Sequence, residues 1–324
     1  MKNTNSEKVI VKFYGVRGSI PSPQGSNEIK TKAFNLIKEA CRQNLTDDES
    51  IMEFLKKQPN HRSGVVGGNT ACIYLLVNGL HIILDAGSGI RKLGEVLMKQ
   101  EFGNGQGEAH LFLTHTHWDH IQGFPFFMPA YTSGNLITIY GAHNGLEQRI
   151  SNQQEDEYYP VPLSAMGANI EFVQLRKGDT ISVNGIRITN LMLNHPGGSF
   201  GYRLDYKGKS LVYATDSEYK NINDIQREKY IKFFQNADVL IFDAQFTLAE
   251  SIEKENWGHS TSIQGVNFAK QANVKHLILF HHDPSYSDEK LFGILNDAID
   301  YMKSHADNQN IKISLATEGL ELIL

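Results

Sequence analysis

The 324-residue sequence has only two cysteines, Cys41 and Cys72, so neither a disulfide scaffold nor a cysteine zinc site can organise it. No apolar run approaches the roughly 20 residues that a membrane-spanning helix needs, and we expect no contact with a membrane. The opening residues MKNTNSEKVIVKFYG lack the apolar core of a secretory signal. We therefore expect a reducing, cytoplasmic location.

Excess positive charge is also absent. Lys and Arg total 31 against 36 Asp and Glu, which gives a formal net charge of −5. This balance argues against binding of long nucleic acid by broad neutralisation of phosphates, although it allows a local basic groove. Histidine is abundant, and seven of the 13 histidines lie in short motifs at predicted strand ends or in loops: His115, His117, His120, His195, His259, His281 and His282.

Short β-rich runs recur in hairpin-like groups with few helical segments between them. Ala71–Val77 and Leu80–Leu84 flank an Asn-Gly pair, which predicts a tight hairpin. Ile311–Leu315 and Leu320–Leu324 predict a second hairpin that closes the chain. This grouping predicts two sheets packed face to face with helices outside, rather than a doubly wound parallel sheet.

Residues Ser26–Ser63 differ from their surroundings. Apolar residues at helical spacing predict two helices here, the second after a capping box at Thr46-Asp47-Asp48-Glu49. We expect a single domain over residues 1–324, with a helical insertion at about 26–63. The insertion is either a surface embellishment or a lid or dimer contact over the functional site.

The strongest chemical signal is the segment THTHWDH, residues 114–120. His115 and His117 stand two positions apart at the end of a predicted strand and should point the same way. Asp119 and His120 follow in a turn that can fold back. Imidazole and carboxylate are good ligands for zinc or a similar divalent ion. Four ligands in six residues, grouped as His-x-His and Asp-His, suit two adjacent metals better than one.

Other candidate ligands repeat this arrangement, because each directly follows an apolar predicted strand. They are His195, Asp216 and the pair His281-His282. A lone polar residue at such a position is usually a turn residue. Repetition after the His115 motif instead favours a shared metal site.

The ordered motifs HTHWDH, LNHPGG, ATDSE and LFHH resemble the metallo-β-lactamase superfamily. The segments VKFYGVRGSIPSP, GGNTACIYL, LIFDAQF and WGHST resemble its branch of tRNase Z and phosphodiesterase relatives. The similarity covers nearly the whole chain outside Ser26–Ser63. It implies an α/β fold, an αββα sandwich of two mixed β-sheets with outer helices, and a metal-dependent phosphodiesterase that acts on phosphoric diester bonds.

The resemblance also implies a ligand set for two divalent ions, Zn²⁺ first, with Mn²⁺ or Fe as alternatives. One ion would be held by His115, His117 and His195, the other by Asp119, His120 and His281, with Asp216 bridging both. His282 is the alternative ligand to His281, or a substrate contact, because neighbouring strand residues point to opposite faces. We favour His281, which occupies the first position after its strand.

By the same resemblance, His259 in WGHST is the acid near the leaving group and Asp243 in FDAQF orients it. With Asp119, these are the expected catalytic residues. An imidazole acid matters for a poor alkoxide leaving group such as the ribose 3′-oxygen, and less for a β-lactam nitrogen. Asp85 either accepts an N–H from a ligating histidine or caps a helix.

The substrate is expected to be a small nucleotide phosphodiester. Typical tRNase Z enzymes carry a Gly/Pro-rich arm that grips tRNA, whereas the stretch between His120 and His195 lacks such a basic run and is acidic at 153–157. We expect hydrolysis of 3′,5′-cyclic nucleotides of the cAMP or cGMP type to nucleoside monophosphates. The alternatives are a tRNase Z-like 3′-processing endoribonuclease and a non-catalytic metal-binding sensor.

The resemblance further implies a homodimer, since relatives are often dimeric. Candidate substrate contacts are His282, Gly197, Gly198 and Asn69, and candidates for stacking a base are Tyr158, Tyr159 and Trp257. Trp118 is expected to pack against the protein instead.

Overall fold

The computed structural model describes residues 8–305 and 310–324. The expectations for the first seven residues, and the part of the single-domain prediction that covers 306–309, lie outside these ranges. In the described part, fourteen strands form two seven-stranded sheets. The strands are β1 (Val9–Gly15), β2 (Cys72–Val77), β3 (Leu80–Leu84), β4 (Glu108–Phe112), β5 (Leu136–Gly141), β6 (Asn169–Gln174), β7 (Thr180–Val183), β8 (Ile186–Leu193), β9 (Ser199–Tyr206), β10 (Lys209–Ala214), β11 (Val239–Asp243), β12 (His276–Phe280), β13 (Lys312–Leu315) and β14 (Glu321–Ile323).

Helices connect and cover the strands. They are α1 (Ser26–Ala40), α2 (Asp48–Lys57), α3 (Asn60–Ser63), α4 (Ile90–Leu97), α5 (Trp118–Ile121), α6 (Leu146–Asn152), α7 (Asp224–Phe234), α8 (Leu248–Glu253), α9 (Ser262–Gln271) and α10 (Asp288–Ser304). Of the described helices, none is both long and apolar enough to cross a bilayer.

The two sheets pack face to face, and helices cover their outer faces. The strand order is β14-β1-β2-β3-β4-β5-β6 in the first sheet and β13-β12-β11-β10-β9-β8-β7 in the second. Each sheet contains both parallel and antiparallel pairs. Successive residues of β3 alternate between the two apolar cores: Ile82 faces the other sheet, and Ile83 packs under α4. The predicted αββα sandwich of two mixed sheets is confirmed.

Strand direction brings one end of many strands to a common edge. In the first sheet β3 and β4 run parallel. In the second sheet β10, β11 and β12 run parallel, and β8 shares their direction because it is antiparallel to β9, which is antiparallel to β10. The residues that follow these strands therefore meet along one edge of the sandwich.

The predicted closing hairpin is wrong. β13 pairs in parallel with β12 in the second sheet, whereas β14 pairs antiparallel with β1 in the first sheet. The chain crosses between the sheets at Ala316–Gly319, where backbone hydrogen bonds to Leu279 and Phe13 fix the crossing. Each strand extends a sheet edge, and the alternation of a short strand does not distinguish a local from a distant partner.

The segment at 26–63 forms helices α1, α2 and α3 between β1 and β2. The predicted capping box is displaced by one residue, since Asp47 rather than Thr46 caps α2 and pairs with Ser50. The Asp47 carboxylate accepts from the Ser50 backbone N–H at 2.8 Å. Helix α1 buries none of its residues, so it adds little to the core.

Candidate metal centre

Histidine rings and carboxylates from both sheets converge at the common edge. Three groups of side chains in the described residues each have ligand atoms within 4.8 Å of one another, and Asp216 belongs to all three; the third group joins Asp243 and His259 to Asp216 and His281. The first group is His115, His117, His195 and Asp216, and the second is Asp119, His120, Asp216 and His281. The structure thus brings together all seven residues that the sequence suggests as ligands.

In the first group, two ring nitrogens face each other. His195 Nε2 lies 3.1 Å from His117 Nδ1. Asp216 Oδ2 lies 3.5 Å from His115 Nε2 and 3.7 Å from His195 Nε2. The buried His115 Nε2 has no hydrogen-bond partner among the described residues. His117 is exposed while the other three residues are buried, so this group opens to solvent beside His117.

In the second group, Asp119 Oδ2 lies 3.1 Å from His281 Nε2 and 3.3 Å from His120 Nε2. The two imidazole nitrogens are 3.2 Å apart. Asp216 contributes its other oxygen here: Oδ1 lies 3.3 Å from His120 Nε2 and 3.2 Å from His281 Nε2. One carboxylate therefore presents one oxygen to each group.

The local backbone is unusual at two of these candidate ligands. Asp216 and His281 have φ values of 55° and 62° in the left-handed region, which is rare outside glycine and asparagine and costs of order 1–3 kcal/mol per residue. A β-carbon at position 18 would lie 2.5 Å from the His281 ring, so a glycine is needed where the chain passes this ligand.

The motif that contains His115 and His117 is positioned differently from the prediction. Strand β4 ends at Phe112, so both histidines follow the strand in a loop instead of standing on it. His117 is the N-cap residue of α5, and Asp119 and His120 are buried in that one-turn helix. The fold back toward the first two ligands therefore comes from a helical turn.

Asp85 orients His120. Its Oδ2 lies 2.8 Å from His120 Nδ1 and accepts from the Tyr213 hydroxyl at 2.8 Å. Helix α4 begins at Ile90 with Gly89 as its N-cap, so Asp85 does not cap it. The contact with His120 agrees with the first expected role of Asp85, acceptor of an N–H from a candidate ligand.

The donor set fits divalent cations. In its neutral form, with Nδ1–H directed to Asp85, His120 presents a lone pair on Nε2. Burial lowers the pKa of His120, but the carboxylates of Asp216, Asp119 and Asp85 outweigh this effect and raise it well above its usual range. His195 is oriented by a 2.9 Å contact from Nδ1 to the Gly258 carbonyl. The facing ring nitrogens lie 3.1–3.2 Å apart, and when both carry lone pairs they repel each other unless a cation lies between them. Burial, together with neighbouring histidines, holds the pKa of His115 well below its usual range, which favours the neutral ligand form.

A hydrogen-bonded pair, His259 and Asp243, lies beside the first two groups. His259 Nδ1 lies 2.8 Å from Asp243 Oδ2, and its ring centroid lies 5.1 Å from that of His281 and 5.2 Å from that of His195. Burial lowers the pKa of His259, but the carboxylates of Asp243, Asp216 and Asp119 together outweigh this effect and raise it to about 8. At neutral pH the imidazole therefore holds a proton next to the metal groups.

Two candidate substrate contacts lie outside this arrangement. His282 is buried, with its Nε2 2.9 Å from the Ala316 carbonyl. Asn69 donates from Nδ2 to Glu318 and accepts from the Ser88 hydroxyl. The structure does not bring either side chain to the groups.

The rim of the site holds the other candidates. Gly197 and Gly198 have φ values of 77° and 83°, and a β-carbon at 197 would lie 3.9 Å from His117 Nε2. The expectation that Trp118 packs against the protein is wrong, because α5 buries the next three residues and leaves Trp118 79% exposed. Trp257 and Tyr158 are also exposed.

Sequence reasoning missed two further residues at the site. The Ser19 backbone N–H donates to Asp119 Oδ2 at 2.7 Å, and Gln245 Nε2 donates to Ser19 Oγ at 3.1 Å. Both lie in segments that carried the resemblance, VKFYGVRGSIPSP and LIFDAQF. Neither residue type signals metal or acid chemistry by itself.

Comparison with known proteins gives a consistent result. Residues 81–282 match the family model described as Beta-lactamase superfamily domain. Among curated proteins, the chain is 24% identical over 238 residues to Ribonuclease Z of Oceanobacillus iheyensis, covering 58% of this chain and 75% of that protein. It is 27% identical over 280 residues to Ribonuclease Z of Picrophilus torridus, covering 72% and 85%.

Solved structures share the fold. The metallo-beta-lactamase fold protein YhfI from Bacillus subtilis aligns with a TM-score of 0.64 at 16% identity, covering 98% of this chain and 100% of that one. Unliganded yeast PDE1 aligns with a TM-score of 0.61 at 13% identity, covering 98% and 99%. At these identities the likeness concerns architecture alone.

Proposed function

Because the chain belongs to the Beta-lactamase superfamily domain family, we propose that it is a two-metal phosphodiesterase that hydrolyses small 3′,5′-cyclic nucleotides. Its curated relatives are ribonucleases Z, and the chain is a metal-dependent hydrolase of phosphodiester bonds. The observation that carries the proposal is the His259–Asp243 pair, which stands within ring contact of both metal groups.

The ligands have separable roles in this proposal. His115, His117 and His195 would hold one divalent cation, Asp119, His120 and His281 would hold the other, and Asp216 would serve both. When bound, such a pair supplies a water of lowered pKa and neutralises charge on the phosphoryl oxygens. Zn²⁺ is the ion we propose, and imidazole and carboxylate also accept Mn²⁺ or Fe.

The remaining chemistry belongs to the His259–Asp243 pair. Asp243 holds the Nδ1–H of His259, so the Nε2–H is the proton available for the leaving oxygen. An alkoxide such as the ribose 3′-oxygen is a poor leaving group and gains most from this donor, typically 10²–10⁴-fold. A β-lactam nitrogen gains less, which favours a phosphodiester.

The stretch between His120 and His195 and an exposed ring near His259 favour a small substrate over RNA. Residues 155–157 are Glu-Asp-Glu and are all exposed. Across the described stretch between His120 and His195, the elements are short strands and helices, and no Gly/Pro-rich basic arm extends from them. An acidic surface repels the phosphates of a long polynucleotide. Trp257, exposed two positions before His259, offers a ring on which one base can stack.

A tRNA 3′-processing endonuclease is the second candidate, and the curated relatives named Ribonuclease Z favour it. The two candidates share all the metal ligands and the acid. They differ in whether the chain can grip a tRNA outside the site.

One experiment separates them. Zn²⁺- or Mn²⁺-loaded protein is incubated with cyclic AMP, cyclic GMP and a precursor tRNA, and products are separated by chromatography. We expect nucleoside monophosphates from the cyclic nucleotides, a large loss of activity in His259→Ala, and full activity in His305→Ala, which changes an exposed histidine after α10. Cleavage of the tRNA alone would establish the second candidate. No hydrolysis of any diester would overturn both.

We also propose that the chain forms one domain with a helical insertion and assembles as a homodimer in the cytoplasm. Sedimentation of the purified protein at several concentrations should give twice the mass of one chain. A concentration-independent monomer would contradict the dimer. Limited proteolysis should cut within 26–63 and leave the remainder intact if the insertion is an embellishment.

A further inference from the structure

The loop after β1 lies directly against the second metal group. Residue 18 touches the His281 ring, and the Ser19 backbone N–H donates to Asp119 Oδ2 at 2.7 Å. Ser19 is exposed, whereas Asp119 and His281 are buried. Ser19 therefore stands where the second group opens to solvent. Its φ of 63° is rare for a serine, and such outliers cluster at functional sites.

A buried glutamine holds the Ser19 side chain. Gln245 is 2% exposed and lies two residues after Asp243. Its Nε2 donates to Ser19 Oγ at 3.1 Å, and its backbone N–H donates to Asp243 Oδ1 at 3.1 Å. Its Oε1 has no partner among the described residues. Only one end of the Gln245 amide can face Ser19, and the other end is left unpaired. Buried unpaired N–H groups are rarer than buried unpaired carbonyl oxygens, which favours the oxygen as the unpaired end. The amide nitrogen therefore faces Ser19.

Because the Ser19 hydroxyl accepts a hydrogen bond from Gln245, its own proton is directed elsewhere. A hydroxyl has one O–H donor and two acceptor lone pairs, and Gln245 occupies one lone pair. No residue in the described ranges accepts the Ser19 proton. The proton is therefore left for a group that approaches from the solvent side, beside Asp119.

We propose that the Ser19 hydroxyl donates a hydrogen bond to a non-bridging phosphoryl oxygen of the substrate and that Gln245 is the positioning residue that orients it. The inference rests on the proposed phosphodiesterase function, and it adds a substrate contact outside the histidine and aspartate motifs. A donor fixed before substrate arrives stabilises developing negative charge without reorganisation. Loss of one such bond to a charged group lowers the rate by roughly 10- to 100-fold.

The direct test is Ser19→Ala, which removes the hydroxyl and keeps the N–H that supports Asp119. Three quantities are measured on metal-loaded protein: bound metal by elemental analysis, kcat/KM for cyclic AMP, and the calorimetric Kd for inorganic phosphate. We expect unchanged metal, kcat/KM lower by about 10- to 100-fold, and weaker phosphate binding. Ser19→Gly, which suits the left-handed φ, should give the same losses. Wild-type values of kcat/KM and Kd in both variants would overturn the proposal, as would loss of metal in both.

The role of Gln245 is tested by variants that lack its amide donor. A carboxylate in place of the amide would accept the serine proton instead of donating to the oxygen, so Gln245→Glu should lose about as much kcat/KM as Ser19→Ala. Gln245→Met tests removal of the amide at similar volume and should lose less. In the Ser19→Ala background, neither Gln245 variant should lower kcat/KM further. If the double variants lose the product of the two single losses, Gln245 does not act through Ser19. If the wild type hydrolyses no diester, the proposed function fails, while the phosphate Kd still decides the role of Ser19.

Discussion

Replacement of Asp243 by asparagine should impair catalysis only for substrates whose leaving group needs a proton. The Asp243 carboxylate lies 2.8 Å from His259 Nδ1 and is buried. It is the main group that raises the pKa of that imidazole against the opposing effect of burial. Asparagine keeps the shape and one acceptor oxygen, but it removes the charge that keeps the imidazole protonated.

The magnitude follows from the pKa. Asp243 comes first among the carboxylates that raise the His259 pKa from 6.5 to about 8, ahead of Asp216 and Asp119, and the net shift corresponds to about 2 kcal/mol at roughly 1.4 kcal/mol per unit. Without the Asp243 carboxylate the pKa of His259 falls, so that fewer molecules keep the acid proton at pH 7.5. We expect kcat/KM for cyclic AMP to fall by about 10- to 100-fold.

The assay compares two leaving groups on the same variant. Bis(p-nitrophenyl) phosphate releases a stabilised phenolate that does not require an acid, so its kcat/KM should change by less than about 3-fold. The matched control is Asp238→Asn, which removes a carboxylate before β11, at the other end of the strand from Asp243. His259→Ala should show the same split, with a loss of about 10²–10⁴-fold for cyclic AMP and unchanged metal content.

The pH profile provides a second readout. In the wild type, kcat/KM for cyclic AMP should decline as pH rises through about 8, because the acid form of His259 is lost. In Asp243→Asn the decline should begin at lower pH. Equal losses for both substrates, or loss of metal from either variant, would refute the assignment of an acid and its orienting carboxylate.

The other predictions concern metal binding and stability. Asp119→Ala and His117→Ala should each lose bound metal and activity together, as elemental analysis and turnover will show; retained metal would contradict the ligand assignment. Gly18→Ala places a methyl 2.5 Å from the His281 ring, so we expect a substantial loss of bound metal, and an unchanged content would argue against the close approach. Burial lowers the pKa of His282 to about 3, below its unfolded value. Folding stability should therefore be lost as pH falls below about 6.5, by up to roughly 1.4 kcal/mol per pH unit, and His282→Gln should flatten this slope in urea titrations between about pH 5 and 7.

Much of the fold could be predicted because local pattern and tertiary environment agree. Strand β3 matches its predicted bounds and β2 begins one residue later than predicted, since apolar residues and an Asn-Gly turn determine this hairpin locally. The C-terminal strands could not be assigned in this way. β14 pairs with β1, which lies at the opposite end of the chain. The residues of β14 alone do not indicate this partner.

The convergence of the candidate ligands could be predicted for a similar reason. Their motifs follow strands, and because the parallel strands end at one edge, the residues after those strands meet there. Ser19 and Gln245 could not, because their contact spans 226 positions and depends on the turn that places residue 18 against His281. Trp118 was misassigned because the one-turn helix α5, which directs it to solvent, is too short to leave a periodic signal.

The central claim is that Asp216 joins two metal sites, and anomalous diffraction from metal-loaded crystals tests it most directly. We predict two anomalous peaks per chain, one among His115, His117 and His195 and the other among Asp119, His120 and His281, with a different Asp216 oxygen nearest each peak. A single peak, or peaks remote from Asp216, would contradict the account.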